Sequence, residues 1–72
     1  MRDRIKKVIK QVLQLENVTD TVSQATCVEW DSLRHLDLVL ELEMEFDVSF
    51  EPDEMVKMIS LDVIEQIIAA KL

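Results

Sequence analysis

Apolar residues recur three and four positions apart along much of the chain, a spacing typical of helices that turn one face to a core. The first predicted helix runs from about Asp3 to Leu15, with an apolar face of Ile5, Val8, Ile9, Val12 and Leu13. The last runs from Leu61 to about Lys71, with an apolar face of Val63, Ile64, Ile67 and Ile68. Ser60 belongs to a residue type preferred at N-caps, so it marks the start of the last helix.

The central predicted helix, from about Leu33 to Phe46, has apolar residues on two sides. At roughly 100° per residue, its core face is predicted to be Leu38, Val39, Leu42 and Phe46. A second apolar strip lies on a further face and consists of Leu33, Leu36, Leu40 and Met44. Acids at every fourth position form a stripe of Asp37, Glu41 and Glu45. Because a small domain cannot easily bury a helix on two sides, we expect the second strip to meet solvent, a ligand chain or a partner.

The connections between these helices are polar and of unequal length. Residues 16–31 form a loop longer than most helix–helix connections, and its predicted anchors to the core are Val18, Val22, Ala25 and Val28. After the central helix, Val48 and Phe50 are predicted to point inward. Pro52 suits the first position of a short helix that ends at about Met58.

The composition agrees with a helical protein. The chain has 72 residues, 49% of them apolar, and no glycine, which favours helices over tight hairpins. We therefore predict an all-α fold, a small bundle of three main helices plus one short helix with a long first loop, in a single domain of residues 1–72. A chain of this size buries only about 60% of the surface that its unfolded form exposes, which argues against a deep active site.

Charge is distributed unevenly along the chain. The formal net charge is −7, yet residues 1–12 carry five cations and one acid, whereas the remaining sixty residues carry three cations and fourteen acids. Because phosphate contacts need a basic surface, the acidic body argues against nucleic acid as a partner. It should instead attract basic protein surfaces. The basic side of the first helix is predicted to be a solvated face.

The cysteine content and the short apolar runs limit where the chain is expected to act. One cysteine, Cys27, leaves no internal disulfide and no cysteine-based metal site, which suits a reducing cytoplasm. Apolar runs stop at four residues, far short of the roughly 20 that a membrane span needs. A charged N-terminus without a following apolar core is not a secretory signal. We therefore expect a cytoplasmic protein without a membrane span.

Ser32 is the residue whose position indicates chemistry. It lies where the central helix begins, beside unpaired backbone N–H groups and the positive end of the helix dipole, which suits a phosphate on the serine oxygen. His35, the only histidine, follows three residues later, but no acid is placed to orient it as a base. We expect His35 to be half-buried near Trp30. No metal-ligand cluster and no glycine-rich phosphate loop are present, so the sequence predicts no enzyme.

Asp31-Ser32-Leu33, followed by the acidic and aliphatic helix that ends in Glu45-Phe46, resembles the acyl carrier proteins of fatty acid and polyketide synthesis. The resemblance extends over the whole chain, including the basic-then-acidic order of charges, the long first loop and the short third helix. It implies that Ser32 receives 4′-phosphopantetheine from coenzyme A through a separate, magnesium-dependent transferase. The terminal thiol of that arm would then carry an acyl group as a thioester.

The same resemblance implies a recognition surface around the attachment serine. Its predicted members are acids and apolar residues that partner enzymes contact: Asp31, Leu33, Leu36, Asp37, Leu40, Glu41, Glu43 and Met44. The implied partners are a phosphopantetheinyl transferase, an acyl-loading ligase or transferase, and synthase-type enzymes with basic docking surfaces. A carrier of this kind is expected to be a monomer. Asp31 is also expected to cap the helix.

The chain departs from the family pattern on both sides of the triplet and at Glu41, which stands where a small residue is common and extends the acidic stripe. Many members have glycine before the triplet, where this chain has Trp30, which either anchors the loop or covers the attachment point. Housekeeping members usually have an acid after the triplet, where this chain has Arg34 and His35, and Arg34 is expected to offset the nearby charge of Asp37. The alternative interpretations are a carrier of aminoacyl or peptidyl groups in a nonribosomal pathway, and a helical interaction module without a prosthetic group.

Overall fold

Four helices make up the computed structural model, which describes residues 1–72. They are α1 at Arg2–Leu13, α2 at Ser32–Phe46, α3 at Pro52–Met55 and α4 at Leu61–Lys71. No strand is present, and one isolated bridge joins Ser23 of the first loop to Ser60 at the start of α4. The predicted all-α architecture of three main helices and one short helix is confirmed.

Backbone geometry explains why two helices end earlier than the apolar pattern predicts. Gln14 takes a left-handed conformation with φ 56° and ψ 48°, and it ends α1 before Leu15. α3 ends at Met55 and not at Met58, because Lys57 and Met58 bond to carbonyls three residues back, in turns tighter than those of an α-helix. The bounds of α2 and α4 agree with prediction to within one residue.

Fifteen buried side chains form one core between the helices. α1 lies against both α2 and α4. All four predicted core residues of α2 are buried, as is Phe50 after it, and Val48 is half-buried. The buried residues of α4 are Leu61, Ile64 and Ile68. The other two residues predicted for that face, Val63 and Ile67, are only half-buried.

The long loop is fastened to the core by the buried Val22 and Trp30 and by the half-buried Val18. The prediction of Ala25 and Val28 as anchors is wrong, since both are exposed, and Val28 is 91% exposed. Trp30 is 1% exposed, so it anchors the loop and does not cover the serine. The indole of Trp30 therefore contributes to the core the buried apolar area that the exposed Ala25 and Val28 do not.

Ion pairs hold the same loop and α4 to the N-terminal half of α1. Arg2 Nη2 lies 2.7 Å from Asp62 Oδ1 and 2.9 Å from Glu65 Oε1 of α4. Lys6 pairs with Asp20 of the loop. Arg4 pairs with Glu45 of α2 in the same way, so the prediction of a merely solvated basic face is wrong for these three cations.

Candidate functional site

Ser32 is the first residue of α2, and the chain on either side of it is tightly hydrogen-bonded. Asp31 has an extended backbone and caps the helix, because its Oδ1 accepts the backbone N–H of Arg34 at 2.8 Å. The carbonyl of Asp31 accepts the N–H of His35 at 2.9 Å. The predicted capping role of Asp31 is therefore confirmed.

The hydroxyl of Ser32 is exposed and makes no hydrogen bond within the protein. The backbone N–H groups of Ser32 and Leu33 also lack an acceptor, because the Asp31 side chain takes the N–H of Arg34 alone. A phosphate attached to the Ser32 oxygen would have its negative charge near these two donors and the positive end of the α2 dipole. The residues present therefore fit a phosphate at this serine, although the Asp31 carboxylate adds negative charge beside it.

His35 is half-buried and hydrogen-bonded through both ring nitrogens. The indole N–H of Trp30 donates to Nδ1 at 3.0 Å, and Nε2 lies 2.8 Å from the carbonyl oxygen of Met55 in α3. Because an indole only donates and a carbonyl only accepts, the ring is the neutral tautomer with its proton on Nε2. The predicted placement of His35 near Trp30 is confirmed. With Nδ1 already occupied, the imidazole is not available as a base for Ser32.

Arg34 turns back toward the loop. Its Nη1 donates to the carbonyl of Glu29 at 3.2 Å. No ion pair joins it to Asp37, so the expected offset of that charge is at most a long-range one. Glu29 and Met55 could not be identified from the sequence as contacts of this region, because nothing in the apolar pattern marks a carbonyl as an acceptor.

The second apolar strip of α2 is exposed along its whole length. The exposed fractions are 74% for Leu33, 57% for Leu36, 57% for Leu40 and 69% for Met44. Asp37 and Glu41 are exposed as well. We name this surface the docking face; it consists of Leu33, Leu36, Asp37, Leu40, Glu41 and Met44. An exposed apolar strip beside acids suits a protein partner that presents apolar and basic groups.

Glu43 differs from the other predicted recognition residues. It is half-buried, and its Oε2 accepts the backbone N–H of Phe50 at 2.8 Å. The carboxylate therefore holds the segment after α2 against the helix. Phe50, which donates this bond, lies beyond the end of α2, so the helical pattern in the sequence could not predict the bond.

A groove of about 860 Å³ lies beside the docking face, between α1, α2 and the segment that follows α2. Its apolar lining consists of Val12, Leu40, Met44 and Val48. Its acidic lining consists of Asp37, Glu41, Glu43 and Asp47. No cation lines the groove, which therefore extends the acidic and apolar character of the docking face toward α1.

Cys27 is half-buried in the loop. Burial raises the pKa of its thiol, and a hydrogen bond at 3.5 Å to the carboxylate of Glu29 raises it further. Because the thiolate is the reactive form of cysteine, this environment lowers the reactivity of Cys27.

Comparison with known proteins relates this geometry to a family. No family model matches the chain. An acyl carrier protein from Desulforapulum autotrophicum is 34% identical to it, and the match covers 89% of this chain and 88% of that protein. A solved structure from Mycobacterium tuberculosis, described as a candidate acyl carrier protein, matches with a TM-score of 0.87 at 21% identity, over 99% of this chain and 97% of that one.

The chain therefore belongs to the acyl carrier protein family, as the Asp-Ser-Leu triplet and the acidic helix after it indicated. The structure from Mycobacterium tuberculosis has the same fold. Members of this family are carriers and not enzymes, so the prediction that the chain is not an enzyme is confirmed. None of its helices combines the length and the apolar character that crossing a membrane requires.

Proposed function

We propose that Ser32 is the attachment site of 4′-phosphopantetheine derived from coenzyme A. On that arm the chain would hold acyl intermediates as thioesters and present them to enzymes of fatty acid, polyketide or related biosynthesis. The observation that carries the proposal is the exposed, unbonded hydroxyl of Ser32 at the start of a helix whose outer side is apolar and acidic.

The chain's own residues would hold the arm without activating it. The N–H groups of Ser32 and Leu33 lack an acceptor and would face the phosphate. When bound, the prosthetic group supplies the thiol that forms the thioester. The thiol of Cys27 does not replace it, because that side chain is half-buried and protonated.

The bonding of His35 supports modification by a separate enzyme. Its Nδ1 accepts the indole N–H of Trp30, so the imidazole cannot take the proton of Ser32. A phosphopantetheinyl transferase would therefore provide the general base and the magnesium ion. The chain's contribution to that reaction is to present the serine and to bind the transferase through the docking face.

The same surface supports docking by loading and synthase enzymes. Exposed leucines give a partner apolar area, and Asp37 and Glu41 favour partners with basic surfaces. We propose that a transferase, an acyl-loading enzyme and synthase-type enzymes bind the docking face in turn, with Asp31 and the exposed part of Glu43 at its margins.

Modification in vitro tests the attachment site. The purified apo chain is incubated with coenzyme A, magnesium and a permissive transferase, and its mass is measured. Wild type should gain one phosphopantetheine, Ser32→Ala should gain none, and Ser49→Ala, which removes another exposed serine, should behave like wild type. A wild type that stays unmodified with several transferases, or a Ser32→Ala chain that is still modified, would overturn the proposal.

A loading panel tests the class of cargo. The modified chain is offered to acyl-loading and aminoacyl-loading enzymes, and thioester formation is followed by mass. Acyl loading is expected, because the dense acids of α2 are typical of acyl carriers. Loading by the aminoacyl enzymes alone would assign the chain to nonribosomal peptide assembly instead.

A further inference from the structure

Four hydrogen bonds join residues before Ser32 in the chain to residues after it, and none of them involves Ser32 itself. Two start from Asp31: its Oδ1 accepts the N–H of Arg34 at 2.8 Å, and its carbonyl accepts the N–H of His35 at 2.9 Å. The third joins Arg34 Nη1 to the carbonyl of Glu29 at 3.2 Å. The fourth is the 3.0 Å bond from Trp30 Nε1 to His35 Nδ1. We name residues 29–35 the serine arch.

The arch is attached to two other parts of the molecule through His35. On one side the indole of Trp30, 1% exposed, is part of the core. On the other side Nε2 of His35 bonds the carbonyl of Met55, the last residue of α3, at 2.8 Å. We name these two bonds the latch. It connects the loop, the first turn of α2 and the end of α3 through a single imidazole.

The latch permits only one arrangement of protons. Nδ1 must be unprotonated to accept from Trp30, and Nε2 must carry the proton to donate to Met55. The neutral imidazole therefore satisfies both partners, and no buried polar side-chain atom in the chain lacks a partner. A residue that met only one of these demands would leave either the indole N–H or the carbonyl without its bond.

We propose that His35 is a positioning residue for modification of Ser32: through the latch it holds the serine arch and α3 in the arrangement that the transferase recognises. The inference rests on the proposed attachment of phosphopantetheine at Ser32. His35 does not take part in the chemistry, because both of its nitrogens are occupied elsewhere.

The expected effect is on binding of the chain by the transferase. Without the latch the arch samples more conformations, and the transferase must order it on binding, which weakens association. The KM of the chain as a substrate should then rise about three- to tenfold, the amount expected for ordering one or two side chains. The kcat should stay within about twofold, because the serine hydroxyl and the transferase base are unchanged.

Two variants break the latch in different ways. His35→Leu keeps a side chain of similar bulk and removes both bonds. Trp30→Phe keeps an aromatic ring in the core but removes the indole N–H together with part of the indole's bulk, and it leaves the bond from His35 to Met55 in place. His35→Asn is the partial rescue, because its amide oxygen takes the place of Nδ1 and can accept from Trp30, whereas the bond to Met55 is lost. Ile9→Val is the matched control, since it weakens the core at a residue of α1 that makes neither latch bond.

The latch can be observed directly, because the chain has one tryptophan and one histidine. In nuclear magnetic resonance spectra the indole N–H of Trp30 should give one resonance, shifted downfield by its bond to His35. It should move upfield in His35→Leu and return most of the way in His35→Asn. An indole resonance that is the same in wild type and His35→Leu would overturn the inference.

Transferase kinetics on the same proteins complete the test. We expect the KM to rise in His35→Leu and Trp30→Phe, to recover in part in His35→Asn, and to stay at the wild-type value in Ile9→Val. An unchanged KM in both latch variants, or an equal rise in Ile9→Val, would overturn the positioning role while the proposed function stands. A wild-type chain that no transferase modifies would instead overturn the proposed function and this inference with it.

Discussion

Leu36 and Leu38 lie two residues apart on α2, yet their surroundings are opposite. Leu38 is fully buried, whereas Leu36 is 57% exposed on the docking face. Two residues correspond to a rotation of about 200° around a helix, which places them on opposite sides. At the scale of single residues, the same side chain therefore stabilises the fold at one position and is available to a partner at the other.

Truncating these two leucines should separate stability from docking. Leu38→Ala should lower the free energy of unfolding by about 2–5 kcal/mol, because it leaves a cavity in the core. Leu36→Ala should change it by less than about 0.5 kcal/mol and should raise the KM of a transferase for the chain. Urea unfolding and transferase kinetics measure the two effects. Equal destabilisation by both variants would contradict the burial seen in the structure.

At the scale of elements, the short helix α3 depends on contacts outside its own four residues. Its Glu54 carboxylate accepts the backbone N–H of Glu51 at 2.8 Å and lies 2.9 Å from the ammonium of Lys71 in α4. Lys71 also lies 5.7 Å from the centre of the Phe50 ring. A single turn of helix is not stable alone in water, so these contacts and the latch determine its position.

Acid should weaken this attachment of α3. The N–H of Glu51, and then the ammonium of Lys71, lower the pKa of the Glu54 carboxyl. Because the folded pKa lies below the unfolded one, the stabilisation is complete above the unfolded value, about 4.3 for glutamate, and is lost as the pH falls through the folded value. Glu54→Gln should therefore be less stable than wild type at neutral pH, and this difference should shrink in acid.

Urea unfolding at pH 7 and at about pH 3 measures the effect of this carboxylate. Glu16→Gln is the matched control, because Glu16 is exposed and has no ion-pair partner in the structure. It should show no comparable difference at either pH. If the difference in the free energy of unfolding between wild type and Glu54→Gln is the same at neutral pH and in acid, this role of Glu54 is refuted.

At the scale of the whole molecule, cations of α1 are paired with acids of the same chain, whereas the acids of the docking face are unpaired. Three cations of α1 bind acids of the same chain, among them Arg4, which donates to the Glu45 carboxylate at 2.9 Å. Asp37 and Glu41 form no such pair and remain exposed. Part of the positive charge is therefore paired within the chain, and the acids of the docking face on α2 remain unpaired.

This distribution predicts how salt should affect partner binding. The double variant Asp37→Asn with Glu41→Gln should slow association with a transferase at low salt, and the difference should shrink as salt rises. Asp3→Asn with Glu16→Gln changes the net charge equally but lies off the docking face, so it should slow association less. Stopped-flow or surface-binding rates measure this. Equal slowing by both pairs would show that net charge alone attracts the partner.

The oligomeric state separates a carrier from a helical interaction module. The docking face is one side of one helix, and a carrier must keep it free for successive partners, so we expect a monomer at micromolar concentrations. Sedimentation or light scattering over a range of concentrations measures this. Self-association that Leu36→Ala abolishes and Ser32→Ala leaves intact would favour the interaction module.

The sequence alone determined the helices and the two faces of α2. Helical periodicity is a local property: residues three and four places apart in the chain share a face of the helix, so each face can be identified from spacing alone. Leu38, Val39, Leu42 and Phe46 could therefore be assigned to the core and Leu33 to the exposed side without any knowledge of the fold. The triplet at Ser32 could be recognised for the same reason, since all of its parts are adjacent in the chain.

Only the tertiary structure decided what holds the long loop and the serine arch. The loop has no period, so nothing in the sequence distinguished the exposed Val28 from the buried Trp30. Arg2 and Glu65 are 63 residues apart, and His35 and Met55 are 20 residues apart, yet each pair is joined by a hydrogen bond. Such contacts form only when packing of the core brings distant segments together, so the spacing of residues along the chain does not predict them.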